Sequence, residues 1–185
     1  VVNGFGELTD GYQYGEESYL TCLANHPTCH KPDGVNYVKL LSEFKSCDKS
    51  NNGEIDEVWL WGGPWFGYWE AVMAGAGSFT TNAPPITGTT CQKPLHIMGF
   101  NYERGVPEAL EDFGHRMEGT LTHVFGEDPR WSKTTSTAWG KFRASCGWMH
   151  YAPNSTSDYD WSNQLMVESN CDDWLFYPAL PSPPN

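Results

Sequence analysis

His115 and Glu118 stand three residues apart in the stretch 106–126, VPEALEDFGHRMEGTLTHVFG. If that stretch is helical, both side chains share one face, close enough to hold a proton or a divalent metal ion between them. Glu111 and Thr122 extend the same polar line, which is also the ordinary pattern of a solvated helix flank. Glu70 sits in a run of aromatics, Trp65-Phe-Gly-Tyr-Trp69-Glu70. Such surroundings disfavour the charged carboxylate, and a carboxyl of raised pKa is what a general acid needs. Asn101 and Arg104 fall in a turn, Asn-Tyr-Glu-Arg-Gly, where the guanidinium can hold an anionic or carboxylate group or only brace the turn. His150, Asn154, Asp158, Tyr159, Asp160 and Trp161 form a further polar and aromatic cluster, able to supply metal ligands or sugar hydrogen bonds. No nucleophile elbow, phosphate loop, dinucleotide fingerprint or H-E-x-x-H pair is present.

These residues need elements to hold them. Residues 55–61 (IDEVWLW) and 95–100 (LHIMGF) read as buried strands, the first ended by Gly62-Gly63-Pro64. Residues 35–45, 66–74 and 136–145 read as helices. So does the stretch opening at Val106-Pro107, where Leu110, Phe113, Met117, Leu121 and Val124 recur at helical spacing and predict a core face. The alternation of helix and strand predicts a single α/β domain, residues 35–178, with a partly parallel sheet flanked by helices and long aromatic loops. Residues 1–34 read as an irregular N-terminal segment, and 179–185 as a Pro-rich tail or the start of a linker. Ligands of open α/β sheets bind beyond the carboxyl ends of the strands. That places Glu70, Asn101 and Arg104 at the expected site. His115, about 12 Å along its helix from Pro107 by helical rise, is expected to fall short of the part that Arg104 lines, unless the sheet crosses obliquely or a C-terminal loop such as 150–161 folds over it.

Composition narrows the partners. Eleven Lys and Arg face 23 Asp and Glu, a net charge of -12, which speaks against nucleic acid and an anionic membrane surface. Trp59, Trp61, Trp65, Tyr68 and Trp69 fall within eleven residues, packing either into a core or into platforms that stack on sugar rings. Six cysteines without zinc-site spacing predict three disulfides and an oxidising compartment. The expected pairing is Cys22–Cys29, Cys47–Cys91 and Cys146–Cys171. Asn154-Ser155-Thr156 is a glycosylation sequon, in competition with a ligand role for Asn154. A chain opening at Val1 without an initiator Met fits a processed or partial protein. The segment from Asp48 to Trp59 matches a calcium loop at its early positions, but Trp59 stands where a bidentate Glu belongs. It reads instead as a polar turn feeding a strand.

Five segments together, Asp56 to Pro64 (DEVWLWGGP), Gly99 to Gly105 (GFNYERG), Gly114-His-Arg-x-Glu118, His150-x-x-Pro-Asn154 with Asp158-Tyr-Asp-Trp161, and Cys171-Asp-Asp-Trp174, resemble a set of secreted bacterial and fungal proteins without an established activity. The resemblance covers residues 35–178. It implies secretion and one shared architecture for all five segments.

The expectation is a secreted hydrolase of extracellular polymer, polysaccharide foremost. Glu70, Glu118, His115 and His150 are the catalytic candidates. Arg104, Asn101, Trp65, Trp69, Asn154, Asp160 and Trp161 are the substrate-binding ones, and His115 with Glu118 the pair for one divalent metal ion. Two alternatives stay open, a non-catalytic carbohydrate-binding module and a metal-dependent peptidase or esterase.

Overall fold

The computed structural model describes residues 6–126 and 138–176. They fall into two compact units, which divide between Arg116 and Met117. The expected tail at 179–185 lies outside the described residues.

The first unit contains α1 (Glu16–Ala24), α2 (Tyr37–Glu43), α3 (Ser46–Asn51), β1 (Glu57–Gly62), β2 (Ala71–Ala74), β3 (Leu95–Asn101) and the start of α4 (Val106–Phe125). The three strands form one mixed sheet in the order β1-β3-β2. β1 runs parallel to β3, from Glu57 opposite His96 to Gly62 opposite Asn101. β2 runs antiparallel to β3, from Ala71 opposite Met98 to Ala74 opposite Leu95. Helices with a small mixed sheet and parallel pairing agree with the expected class.

Strand alternation gives the sheet two apolar faces. Val72, Ala74, Leu95 and Ile97, with Val58 and Leu60, pack against Val35, Tyr37, Leu40 and Leu41 of the α2 side. Ala71, Met98 and Phe100 meet Ala109 and Phe113 of α4. Trp59 adds edge-on contacts to Phe100 and Phe113, at 5.2 and 5.6 Å between ring centres. All three expected disulfides are present, Cys22–Cys29, Cys47–Cys91 and Cys146–Cys171.

Four local expectations are corrected. Residues 66–74 are not a helix. Trp65 and Gly67 take positive φ, 64° and 80°, and the fully buried Ala71–Ala74 pairs with β3. Small apolar residues covered on both faces suit a strand as well as a helix, so their pattern alone is ambiguous. The N-terminal segment, read as irregular, carries the nine-residue α1. The helix expected over 35–45 is α2, capped by Asn36, whose side chain accepts from Lys39 N at 3.1 Å. Lys45 at φ 52° separates it from α3, so the segment resembling a calcium loop begins inside a helix.

The fourth correction concerns α4, whose expected apolar stripe is buried only in part: Phe113 packs against the sheet. Leu110, Met117 and Val124 are exposed (63%, 52% and 65%), while Asp112 is buried. A three-stranded sheet covers only a narrow arc of helix, here centred on Ala109 and Phe113. Each residue turns the helix by about 100°, so Leu110 rotates off that arc. Asp112 and Arg116 share the arc with Ala109 and Phe113, at spacing i, i+3, i+4, i+7. Arg116 pairs there with Glu57 of β1. Burial alone would raise the Glu57 carboxyl. The hydrogen bonds from Arg116 and Trp59 outweigh it and hold Glu57 below its ordinary value.

Gly99 lets the 68–70 segment close on β3. A Cβ there would lie 2.5 Å from the Trp69 carbonyl oxygen and 2.6 Å from Tyr68 Cβ. Gly99→Ala is expected to cost roughly 1–3 kcal/mol by overpacking. A thermal melt unchanged from wild type would contradict that close approach.

The second unit holds the rest of α4, α5 (Ala138–Cys146) and a 3-10 turn at Cys171–Phe176. Cys146–Cys171 ties α5 to that turn. No helix among the described residues is long and apolar enough to cross a membrane.

Candidate active site

β1 and β3 both run toward Gly62 and Asn101, and beyond those ends opens a cleft of about 590 Å³. Residues 63–70 build one wall, pinned at several points. Tyr19 donates its hydroxyl to the Pro64 carbonyl at 3.0 Å. Trp69 N donates to the Tyr37 hydroxyl at 2.7 Å, and Gly99 N to the Glu70 carbonyl at 3.2 Å. Gly67 passes so close to the Asp33 carbonyl that a Cβ would stand 1.9 Å from it. Trp65, held at positive φ, stacks on His26 at 3.6 Å. The opposite wall is the start of α4, where the Glu108 carboxylate caps the helix by accepting from Gly105 N at 3.0 Å.

The cleft gathers five of the expected residues, Trp65, Trp69, Glu70, Asn101 and Arg104, and adds Trp61, Phe100 and Asp112. Aromatic faces beside carboxylates and a guanidinium make a surface suited to sugar rings and their hydroxyls.

Asp112 is the residue missed in the sequence. It is buried, and its carboxyl is pushed up to about 7. Burial is the main cause, and the charges of Glu70 and Glu111 add to it. Near neutrality such a group still carries a proton to give. Its signal in the sequence was the i, i+3, i+4, i+7 relation to Ala109, Phe113 and Arg116, which a search for apolar positions passes over.

Glu70 is the partner carboxylate. Its Oε2 accepts from Asn82 Nδ2 at 3.0 Å and lies 3.5 Å from His115 Nε2. His115 thus reaches Glu70, although it does not stand with Arg104 among the residues that line the cleft. Glu70 immediately precedes β2, on the far side of β3 from β1, so it meets α4 further along than the β1 end does. On its own helix His115 also meets Glu111, one turn earlier at 4.0 Å. His115 and Glu111 are therefore among the side chains of this unit that could hold a divalent ion.

Glu118 belongs to the second unit, where its Oε1 accepts from Met149 N at 2.8 Å and anchors the loop that follows. In that loop His150 lies between Asp158, 3.3 Å from Nδ1, and the Tyr159 hydroxyl, 2.8 Å from Nε2. His150 and Tyr159 both take positive φ, 67° and 56°. Asn154 and Asp160 are occupied with building the loop. Asn154 Nδ2 donates to the carbonyls of Asn163 and Leu165 at 2.9 and 3.0 Å. Asp160 accepts from Thr156 N and Asn163 Nδ2 at 2.9 and 2.8 Å, which hold its carboxyl below the ordinary value. Trp161 is exposed. Asn154→Ala is expected to lower the stability of this unit by roughly 1 kcal/mol, because it removes two hydrogen bonds to loop carbonyls, one part-buried and one exposed. Limited proteolysis at 150–165 reads the effect, and unchanged resistance would refute it.

The chain matches no protein-family model, no curated protein and no solved structure.

Proposed function

We propose that the chain is a secreted hydrolase that cleaves glycosidic bonds of an extracellular polysaccharide in the 590 Å³ cleft. The observation that carries this reading is the buried Asp112, its carboxyl raised to about 7, coupled to Glu70 in an aromatic-walled cleft. Two carboxyl groups in unlike environments divide the work of acid and base. Asp112 serves as the general acid that protonates the departing glycosidic oxygen. Glu70, positioned by Asn82 and His115, acts from the other side as base or nucleophile. Arg104 and Asn101 orient hydroxyl or carboxylate groups of the substrate, and Trp65 and Trp69 stack on sugar rings. The three disulfides are compatible with an extracellular protein.

The test is release of new reducing ends from a panel of plant, fungal and bacterial polysaccharides, run beside a pull-down on the insoluble members. Product release lost in both Glu70→Gln and Asp112→Asn supports catalysis. Tight binding without any release, abolished by Trp65→Ala and Trp69→Ala, would make the chain a non-catalytic carbohydrate-binding module.

A second reading, a metal-dependent peptidase or esterase, draws on His115 lying between Glu70 and Glu111. Stoichiometric metal in the purified protein, together with chelator-sensitive cleavage of peptide or ester substrates, would favour it over the first.

A further inference from the structure

The strand order leaves β1 at the edge of the sheet. Along that edge runs a second groove of about 520 Å³, bordered by α2 and α3. Trp61, Phe66 and Tyr68 line both this groove and the carboxylate cleft, so the two meet across a shared aromatic saddle.

We infer that the β1-edge groove is a run of further sugar subsites, and that the protein binds a linear glycan along its length and cuts within the chain. This rests on the glycosidase reading above. The groove carries aromatic surface suited to the role. Tyr102 is 69% exposed and Trp59 49%. Trp59 Nε1 donates to Glu57 Oε1 at 2.8 Å, which fixes the indole before any ligand arrives. Trp61 lies nearly parallel to Phe100 at 4.7 Å and to Tyr102 at 6.0 Å, making one flat step between the two cavities. Trp59 and Trp61 are two residues apart on a strand, about 6.6 Å by strand rise, so adjacent rings of a chain can meet them in turn. Around the aromatics stand Lys39, Glu43 and Lys49. Groups of both signs suit hydroxyls, which donate and accept, better than a polymer of one charge. A pocket for a single sugar would need none of this second surface.

The experiment is calorimetric binding of cello-, xylo- and chito-oligosaccharides of increasing length to the Glu70→Gln protein. Phe44→Ala and Tyr102→Ala are each added on that background. Both residues line the groove and lie outside the cleft. Their exposure spares the core, and a thermal melt verifies folding. Affinity is expected to climb with chain length in one of the three series. Each added substitution should weaken the longest ligand about tenfold and leave the disaccharide unaffected. If long and short ligands bind alike, or if the substitutions weaken both equally, the extended track is wrong while the cleft reading stands. If no oligosaccharide of any length binds, the extended track is overturned, and reducing-end release from the polysaccharide panel decides the cleft reading separately.

Discussion

Asp112→Asn is expected to cut turnover sharply and at the same time to stabilise the protein at neutral and alkaline pH. The activity loss expected from removing a positioned general acid is roughly 10²–10⁴-fold, because asparagine keeps the shape but has no proton to deliver. The stability gain follows from linkage. The Asp112 carboxyl is raised from its ordinary 3.8 to about 7, so the folded chain holds a proton that the unfolded chain releases across that interval. The contribution of this group to stability is complete below pH 3.8, erodes as pH rises, and is gone above about 7, where a charge must be kept in a buried place beside Glu70 and Glu111. Asparagine never bears that cost. The melting temperature of Asp112→Asn relative to wild type should therefore climb between pH 4 and pH 8. The same titration limits the wild-type rate, with activity falling as pH rises through about 7. A variant destabilised equally at every pH would mean that Asp112 is a packing residue with no titration of its own.

Glu70→Gln is the second large effect. Its expected loss of activity is again roughly 10²–10⁴-fold, with the fold little changed. The Glu70 side chain is about one-third exposed, and a glutamine oxygen can still accept from Asn82. Glu70 is also the first charge, after burial itself, that pushes Asp112 up. With Glu70 neutral, the Asp112 carboxyl should titrate nearer its ordinary value. Carboxyl-carbon NMR of Asp112 in the two proteins reads this directly. An Asp112 titration identical in wild type and Glu70→Gln would break the coupling on which the acid–base assignment stands.

Much of this was readable from residues alone, and what was not has physical reasons. β1 and β3 were legible because short apolar runs end at Gly62-Gly63-Pro64 and at the Asn101 turn. The start of α4 was legible because Pro107 and Glu108 are first-turn residues. The gathering of Glu70, Asn101 and Arg104 in one cleft followed from the strand-end rule. β2 was not legible, because four small buried residues become a strand only through pairing with β3, which no local pattern encodes. The buried arc of α4 was hidden for a related reason. The apolar periodicity of Leu110, Phe113, Met117, Leu121 and Val124 found Phe113, but the arc the sheet covers pairs it with Ala109, Asp112 and Arg116 rather than with Leu110. Asp112 lies on that arc, where a charged residue is ordinarily not found. The link from His115 to Glu70 was hidden because the rise from Pro107 gives only the distance to the start of α4, whereas Glu70 sits at the entrance to β2.

The central claim is that the Glu70–Asp112 cleft breaks glycosidic bonds. Its most direct measurement is reducing-end release from the polysaccharide panel by wild type and Glu70→Gln, both shown by melting to be folded. The account predicts release by wild type and at least a hundredfold less by Glu70→Gln. Full release by Glu70→Gln would contradict it.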